Sequence, residues 1–302
     1  MTRSIAVFGD LNLDTSVNVH GFPVAVGDTM FSIDGIGDLV GGAAANVACG
    51  LTALGEEVRF GAAIGGDPIG DVVLGRLAAL GVSTSFVRRD WPVTSRTVVL
   101  IDPRGSRLCI NDPKLANRYR FPDDAVDATI GDSPFVFTST QSWCRHVARR
   151  ARELGRRVAV DVQAIVTDDD YHKDFFRHAH VVVFSTERLS MHSHDFIRRL
   201  WGDYDVEVAA ATHGKDGATL GVRATGEIVH EPSFDVRRVV DTTGAGDAFT
   251  SGFLSALARG KSPRDALTLG QLTAAYKIGE KGSTHGFPPP ATLDALFVER
   301  RR

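Results

Sequence analysis

Residues 4–9, SIAVFG, form a short apolar run that stops at Gly-Asp, the pattern of a buried strand ending in a loop. Apolar positions then recur at helical spacing over 44–54, in strand-like succession over 58–64, and at helical spacing again over 69–80. The same alternation resumes with a strand at 135–138, a helix at 144–154, strands at 158–162 and 180–184, a helix at 194–201 and a strand at 206–211. Strands alternating with helices predict a mostly parallel sheet covered by helices on both faces.

Two stretches break the alternation. One is 12–38; the other is 94–112, where SRTVVLIDPRGSRLCIN reads as two β-rich arms about the turn Asp102-Pro103-Arg104-Gly105. Insertions near the carboxyl edge of an open sheet would form a small lid over the place where such sheets bind ligands. No repeat or low-complexity linker divides the chain, so residues 1–302 are expected to form one domain carrying that lid.

Composition adds exclusions. With 302 residues, 43% hydrophobic and 24% charged, the chain can bury a full core. A net charge of −3 gives no footprint for nucleic acid or a membrane surface, which leaves small molecules as the expected partners. Cys49, Cys109 and Cys144 are far apart and lack metal or disulfide spacing, and the N-terminus reaches Asp10 without a long apolar run. A cytoplasmic location is expected. Asp168 to Asp170 and the basic group Arg145, Arg149, Arg150, Arg152, Arg156 and Arg157 read as solvated faces. Glycine is the unusual count: fifteen of 31 fall in residues 1–81 and twelve in 214–286, so two stretches of backbone are candidates for close ligand approach.

Three segments carry candidate chemistry. Gly9-Asp10-Leu11-Asn12-Leu13-Asp14 follows the first strand, and alternation puts Asn12 and Asp14 on one face; an ordinary Asx turn would read the same way. Gly41-Gly42-Ala43-Ala44-Ala45-Asn46-Val47-Ala48 leads two glycines into a helix of very small residues with one amide. It suits either a polyol or close packing. Asp241-Thr242-Thr243-Gly244-Ala245-Gly246-Asp247-Ala248-Phe249 opens a helical run to Ala258, and the amides of Gly244, Ala245 and Gly246 would cradle an anion at its N-terminus. A carboxylate there, Asp247, opposes a bound anion unless it removes a proton from the group that attacks it; a plain first-turn helix carboxylate is the alternative.

In order and spacing these segments resemble the ribokinase-like (PfkB) carbohydrate kinase family over essentially the whole chain. GGAAANVA is similar to the family's N-terminal signature and DTTGAGDAF to its C-terminal one. The resemblance implies a three-layer α/β/α sandwich with a β-lid, ATP as phosphoryl donor, Mg²⁺, and an alcohol on a sugar or nucleoside as acceptor. It places Asn12, Asp14, Gly41, Gly42 and Asn46 on the acceptor, Asp247 as catalytic base, and Gly244, Ala245 and Gly246 at the anion hole. Thr212, Gly214 and Gly217 resemble the nucleotide loop, and Lys281-Gly282-Ser283 the loop closing over adenine. Asp241 and Thr243 align with a monovalent-cation site of some members, implying K⁺ there. A homodimer through the lid is a further expectation.

The pattern also departs from the family. Phe184-Ser185-Thr186-Glu187-Arg188 keeps a Glu but lacks the Asn of the family's Asn-x-x-Glu pattern, which makes Ser185 and Glu187 the expected nucleotide contacts and Glu187 the expected Mg²⁺ carboxylate. Gln141 stands where ribokinase has an acidic substrate contact, and Gln271 where it has an Asn near adenine. The wording around Asn46 is not that of ribokinase, and Cys109-Ile110-Asn111-Asp112 resembles the Ile-Asn-Asp of pseudouridine kinases. No charged cluster for a sugar phosphate stands out in the acceptor segments, so a neutral sugar is expected, with a nucleoside as alternative and a non-catalytic sugar or nucleoside sensor as the rival of another class. A nicotinamide dehydrogenase lacks its fingerprint, since Gly35-Ile36-Gly37 follows no strand directly. Gly260-Lys261-Ser262 is similar to the end of a Walker A loop but follows a helix; Ser262 and Pro263 fit the cap and first position of the next one. His172, His178, His180, His192 and His194 read as surface histidines.

Overall fold

The computed structural model describes residues 4–33 and 35–301. The first seven strands are β1 (Ser4–Phe8), β2 (Asn12–Asn18), β3 (Ile36–Gly41), β4 (Glu57–Gly65), β5 (Val87–Trp91), β6 (Arg96–Ile101) and β7 (Arg107–Asp112). They are followed by β8 (Phe135–Thr138), β9 (Arg157–Ala164), β10 (Val181–Ser185), β11 (Val208–Thr212), β12 (Ala218–Val222) and β13 (Glu227–Glu231). The helices are α1 (Ala43–Ala53), α2 (Pro68–Ala79), α3 (Asp123–Ile130), α4 (Cys144–Glu153), α5 (Asp170–His178), α6 (Ser193–Asp203), α7 (Ala245–Ala258), α8 (Pro263–Lys277) and α9 (Pro290–Arg300).

Nine strands form one sheet in the order β13-β12-β11-β10-β9-β8-β1-β4-β5, parallel from β11 to β5, with β12 and β13 added antiparallel at one edge. Helices cover both faces. Every residue of β1 is buried because alternate side chains serve different cores. Ile5 and Val7 join α1, α7 and α8 on one face, while Ala6 and Phe8 join α3 to α6 on the other. A second sheet, β3-β2-β6-β7, is built from the two stretches that break the alternation. Among the described residues no helix is long and apolar enough to cross a membrane.

Local chemistry explains several boundaries. Asp67 caps α2 by accepting from the Gly70 N–H at 3.0 Å, with Pro68 in the first turn. The Ser262 hydroxyl does the same for α8 through the Asp265 N–H, at 3.1 Å, and Gly260 ends α7 at φ +77°, so Gly260-Lys261-Ser262 is a helix junction. The strand expected at 206–211 begins two residues later, and α3, α5, α9, β5, β12 and β13 were not among the expected elements. Asp168 corrects the solvated reading: it is buried and pairs with Arg199 at 2.8 Å, while its neighbour Asp169 caps α5 by accepting from the His172 N–H. The arginines of α4 and its flank do sit at the surface, held in ion pairs such as Arg150–Asp127 at 2.7 Å.

Candidate functional site

The carboxyl ends of β1, β8, β9, β10 and β11 open onto a single cavity of about 870 Å³, roofed by the small sheet and closed on the other side by the N-terminal end of α7. Open parallel sheets expose their loops and free backbone groups at this edge. A smaller pocket of about 340 Å³ adjoins it, sharing Asp10, Asn12, Thr97, Asn111 and Gln141 and extending to Trp91, Arg96 and Tyr171.

The base of the large cavity is set by two helices that approach closely. The small residues of α1 allow this: a side chain at Gly50 would meet the Ser251 Cβ at 2.7 Å. The Ser251 hydroxyl bonds back to the carbonyls of Asp247 and Val47, tying α7 to α1. That approach brings Asn46 Nδ2 to 2.7 Å from Asp247 Oδ2, so the small-residue segment packs closely and also places its one amide in a polar contact. Gln163 Nε2 donates to the other carboxylate oxygen at 3.3 Å. Asp247 is only 7% exposed. Its pKa is pushed up to about 7, chiefly by burial and then by the charge of Asp161, against the two amide bonds that favour the ionised form.

Asp161 and Gln163 escaped the sequence reading. Asp161, buried on β9, accepts from the Thr250 hydroxyl at 2.7 Å and from the Gln163 N–H at 2.8 Å, and burial pushes its pKa to about 6. Gln163 holds a left-handed φ of +58°, beside a register shift between β9 and β10, and this strained backbone aims its amide at Asp247. A lone Asp-x-Gln in a strand carries no distinctive spacing; the left-handed backbone was the only signal, and it is structural.

Gly244 begins α7 in the left-handed conformation, φ +74°. A side chain there would also stand 2.9 Å from the Ser283 Cα. The Ala245 N–H turns back to the Thr242 carbonyl at 3.2 Å, which corrects the expectation of three successive free amides. Gly244 and Gly246 remain as cavity-lining donors at a helix N-terminus. A Cβ at Gly246 would meet no atom within 4 Å, so the cradle is open to an anion and hydrogen is the side chain that leaves it open.

The residues expected on the acceptor side converge as well. Asp10, at the end of β1, accepts the Ala43 N–H at 2.8 Å and the Ala44 N–H at 3.2 Å, capping α1 from a distant segment. Asn12 Nδ2 donates to Asp14 Oδ1 at 2.5 Å and to the Thr97 hydroxyl at 3.1 Å. Burial pushes Asp14 to about 6 against these hydrogen bonds. Gly42 and Gln141 line the cavity; Gly41 does not, and serves instead to admit the Asp14 carboxylate against its backbone.

Ser185, Glu187, Thr212, Gly214 and Gly217 line the opposite end with Gln271, whose amide is committed to Glu231 at 2.9 Å. Lys281 and Gly282 do not line the cavity; Ser283 does. Gly282 faces inward, its N–H on Asp241 Oδ2 at 2.8 Å, and Asp241 Oδ1 takes the N–H and hydroxyl of Thr243. Two cations were missed. Arg107, on β7, lines the cavity and donates to the Thr243 hydroxyl at 2.9 Å, linking the small sheet to the cradle. Lys277, at the end of α8, is fully buried behind the same turn. No group of three or more His, Cys, Asp or Glu among the described residues could hold a metal ion.

Comparison with known proteins accords with this geometry. The family model described as "pfkB family carbohydrate kinase" matches residues 2–290. The chain is 30% identical over 297 residues to an ATP-dependent ribose-1-phosphate kinase of Halopiger xanaduensis, covering 97% of each. Among solved structures, a microbiome-derived acarbose kinase, Mak1, superposes with a TM-score of 0.88 at 26% identity, covering 99% of both chains. Ribokinase of Arabidopsis thaliana, complexed with ribose and ATP, superposes at 0.85 with 22% identity, covering 98% of this chain and 99% of that one, a likeness of fold. With the signature segments meeting in one cavity and the match running through nearly the whole sequence, the chain belongs to the pfkB family of carbohydrate kinases and is a phosphotransferase of that family.

Proposed function

We propose that the protein transfers the γ-phosphoryl group of ATP to a hydroxyl of a neutral sugar or nucleoside, with Asp247 as general base. The observation that carries this reading is the position of Asp247 between the amide cradle and the polar wall of Asn12, Asp14 and Asn46, with its pKa raised to about 7. A general base works best when its pKa lies near the working pH, and a helix carboxylate serving only stability would need neither the burial nor the two amides.

The acceptor hydroxyl lies against Asp247 and attacks the γ-phosphorus in line. Its O–H proton passes to the carboxylate, the new O–P bond forms, and the bond to the β-phosphate oxygen breaks to release ADP. The Gly244 and Gly246 amides offset charge on the transferring group, and the small sheet keeps water out. Ser185, Glu187, Thr212, Gly214 and Gly217 hold the nucleotide. Mg²⁺, when bound, would neutralise phosphate oxygens; it characteristically takes one or two carboxylates plus phosphates, and Glu187, which lines that end of the cavity together with Asp235, would supply one.

A phosphorylated acceptor is the second reading. Arg96 lines the smaller pocket beside the acceptor wall, a cation that the acceptor segments alone did not reveal, and a relative is named a ribose-1-phosphate kinase. The test is ADP release from ATP and Mg²⁺ across neutral sugars, sugar acids, nucleosides and sugar phosphates. Transfer to neutral acceptors supports the first reading, and transfer confined to phosphorylated ones the second. Nucleotide and acceptor binding with no turnover anywhere in the panel would leave the sensor.

A homodimer through the small sheet completes the proposal. Strand pairing aligns Ile36, Val17, Leu100 and Leu108 across its outer face, with Ile36 and Leu108 exposed. A monomer in sedimentation equilibrium would remove this part.

A further inference from the structure

The resemblance to cation-activated kinases places a monovalent ion at Asp241 and Thr243, but a side chain already reaches that place. Lys277 is 0% exposed, and its ammonium donates to the carbonyl oxygens of both Thr243 and Gly282. Asp241 braces the same two strands of backbone, through the Thr243 N–H at 2.9 Å and the Gly282 N–H at 2.8 Å. Burial lowers the Lys277 pKa, with the charge of Arg107 acting the same way, and the charges of Asp241 and Asp247 offset part of that by favouring the ammonium.

A buried ammonium is tolerated when carbonyls and a carboxylate replace its water, and here both are present. Those carbonyl oxygens are also the ligands a dehydrated potassium ion would need. Both cations cannot occupy one position, so the residues present do not fit K⁺. The location gives the ammonium its purpose. Thr243 directly precedes Gly244, and Ser283 follows Gly282 and packs against Gly244, so the cation clamps the turn that opens the phosphate cradle to the loop behind it.

We propose that Lys277 is a tethered monovalent cation that holds the Thr243–Gly244 turn and the Gly282–Ser283 loop in the anion-receiving arrangement, making the protein independent of potassium. The proposal rests on the reading of Gly244 and Gly246 as the cradle, and its first readout needs no nucleotide.

The experiment measures the thermal unfolding midpoint of the unliganded protein and its affinity for Mg²⁺-ADP, in tetramethylammonium chloride and in potassium chloride at equal ionic strength. The wild type should give the same midpoint and the same affinity in both salts. Lys277→Ala should unfold at lower temperature and bind ADP at least about tenfold more weakly in tetramethylammonium, with part of both losses recovered in potassium as the ion enters the vacated space. Lys277→Met, which fills the space without charge, should lose affinity and show no recovery. A wild type that gains stability or affinity from potassium overturns the proposal, as does a Lys277→Ala protein that matches the wild type or ignores potassium. The wild-type comparison stands even where a variant fails to fold. A wild type that binds no ADP in either salt refutes the cradle reading, and its midpoints still judge Lys277.

Discussion

Asn46 and Asp247 lie 201 residues apart in sequence and 2.7 Å apart in space, the amide of one donating to the carboxylate of the other. The bond joins the two signature helices and bears directly on the protonation of Asp247. Asn46 Oδ1 is buried with no hydrogen-bond partner, so the amide is poised to accept as well as donate.

Asp247→Asn should reduce turnover by about 10² to 10⁴ while ADP affinity stays near the wild-type value. The same variant should be more stable at neutral pH. Asp247 keeps its proton to about pH 7 when folded but only to about 3.8 when unfolded. Its stabilising contribution is therefore complete below about pH 3.8 and lost as pH rises through about 7. An Asn removes that loss, and a flipped Asn46 can accept from it, so unfolding at pH 8 should become harder by on the order of 1 kcal/mol or more. Full activity in this variant would dismiss Asp247 as the base.

Asn46→Ala and Asp161→Asn should move the acid limb of the kcat/KM profile in opposite directions. The Asn46 bond favours ionised Asp247, so its loss raises the pKa and shifts the limb to higher pH. The charge of Asp161 disfavours ionised Asp247, so its removal shifts the limb to lower pH. A pH-rate profile for each variant decides; two shifts of the same sign would show that Asp247 is not the titrating group.

Gly246→Val should weaken ADP binding by about tenfold or more with little change in the unfolding midpoint. The added side chain meets no atom within 4 Å of its Cβ and enters the space an anion would use, whereas an ordinary helix substitution here costs well under 1 kcal/mol. Calorimetric titration with Mg²⁺-ADP checks it. Unchanged affinity would place the phosphates elsewhere.

Arg107→Ala should lower kcat/KM by about tenfold and leave the unfolding free energy within about 1 kcal/mol of wild type, because the Arg107–Thr243 bond is exposed and joins the small sheet only to the turn before α7. Steady-state kinetics at fixed ATP, with denaturation on the same sample, separates the two effects. A large loss of stability would make Arg107 structural.

Legibility followed the range of the interaction. The βα alternation, the helix junction at Gly260-Lys261-Ser262 and the glycine-rich start of α7 are local matters of periodicity, capping and turn composition, and each could be read from a few neighbouring residues. Asp168 misled because its partner, Arg199, is 31 positions away, and a carboxylate in an Asp-rich run looks solvated until that partner is known. Gln163, Arg107 and Lys277 carry no motif; only their convergence on Asp247 and Thr243 distinguishes them from other surface or helix residues.

The sequence by itself determined the architecture, the order of the signature segments and the kind of chemistry, because strands, caps and glycine turns depend on short-range sterics and hydrogen bonding. Tertiary structure alone decided which groups hold Asp247, how far its proton affinity rises and which cation stands behind the cradle. Those properties come from burial and from charges brought together across the whole chain, and neither is written in any one segment.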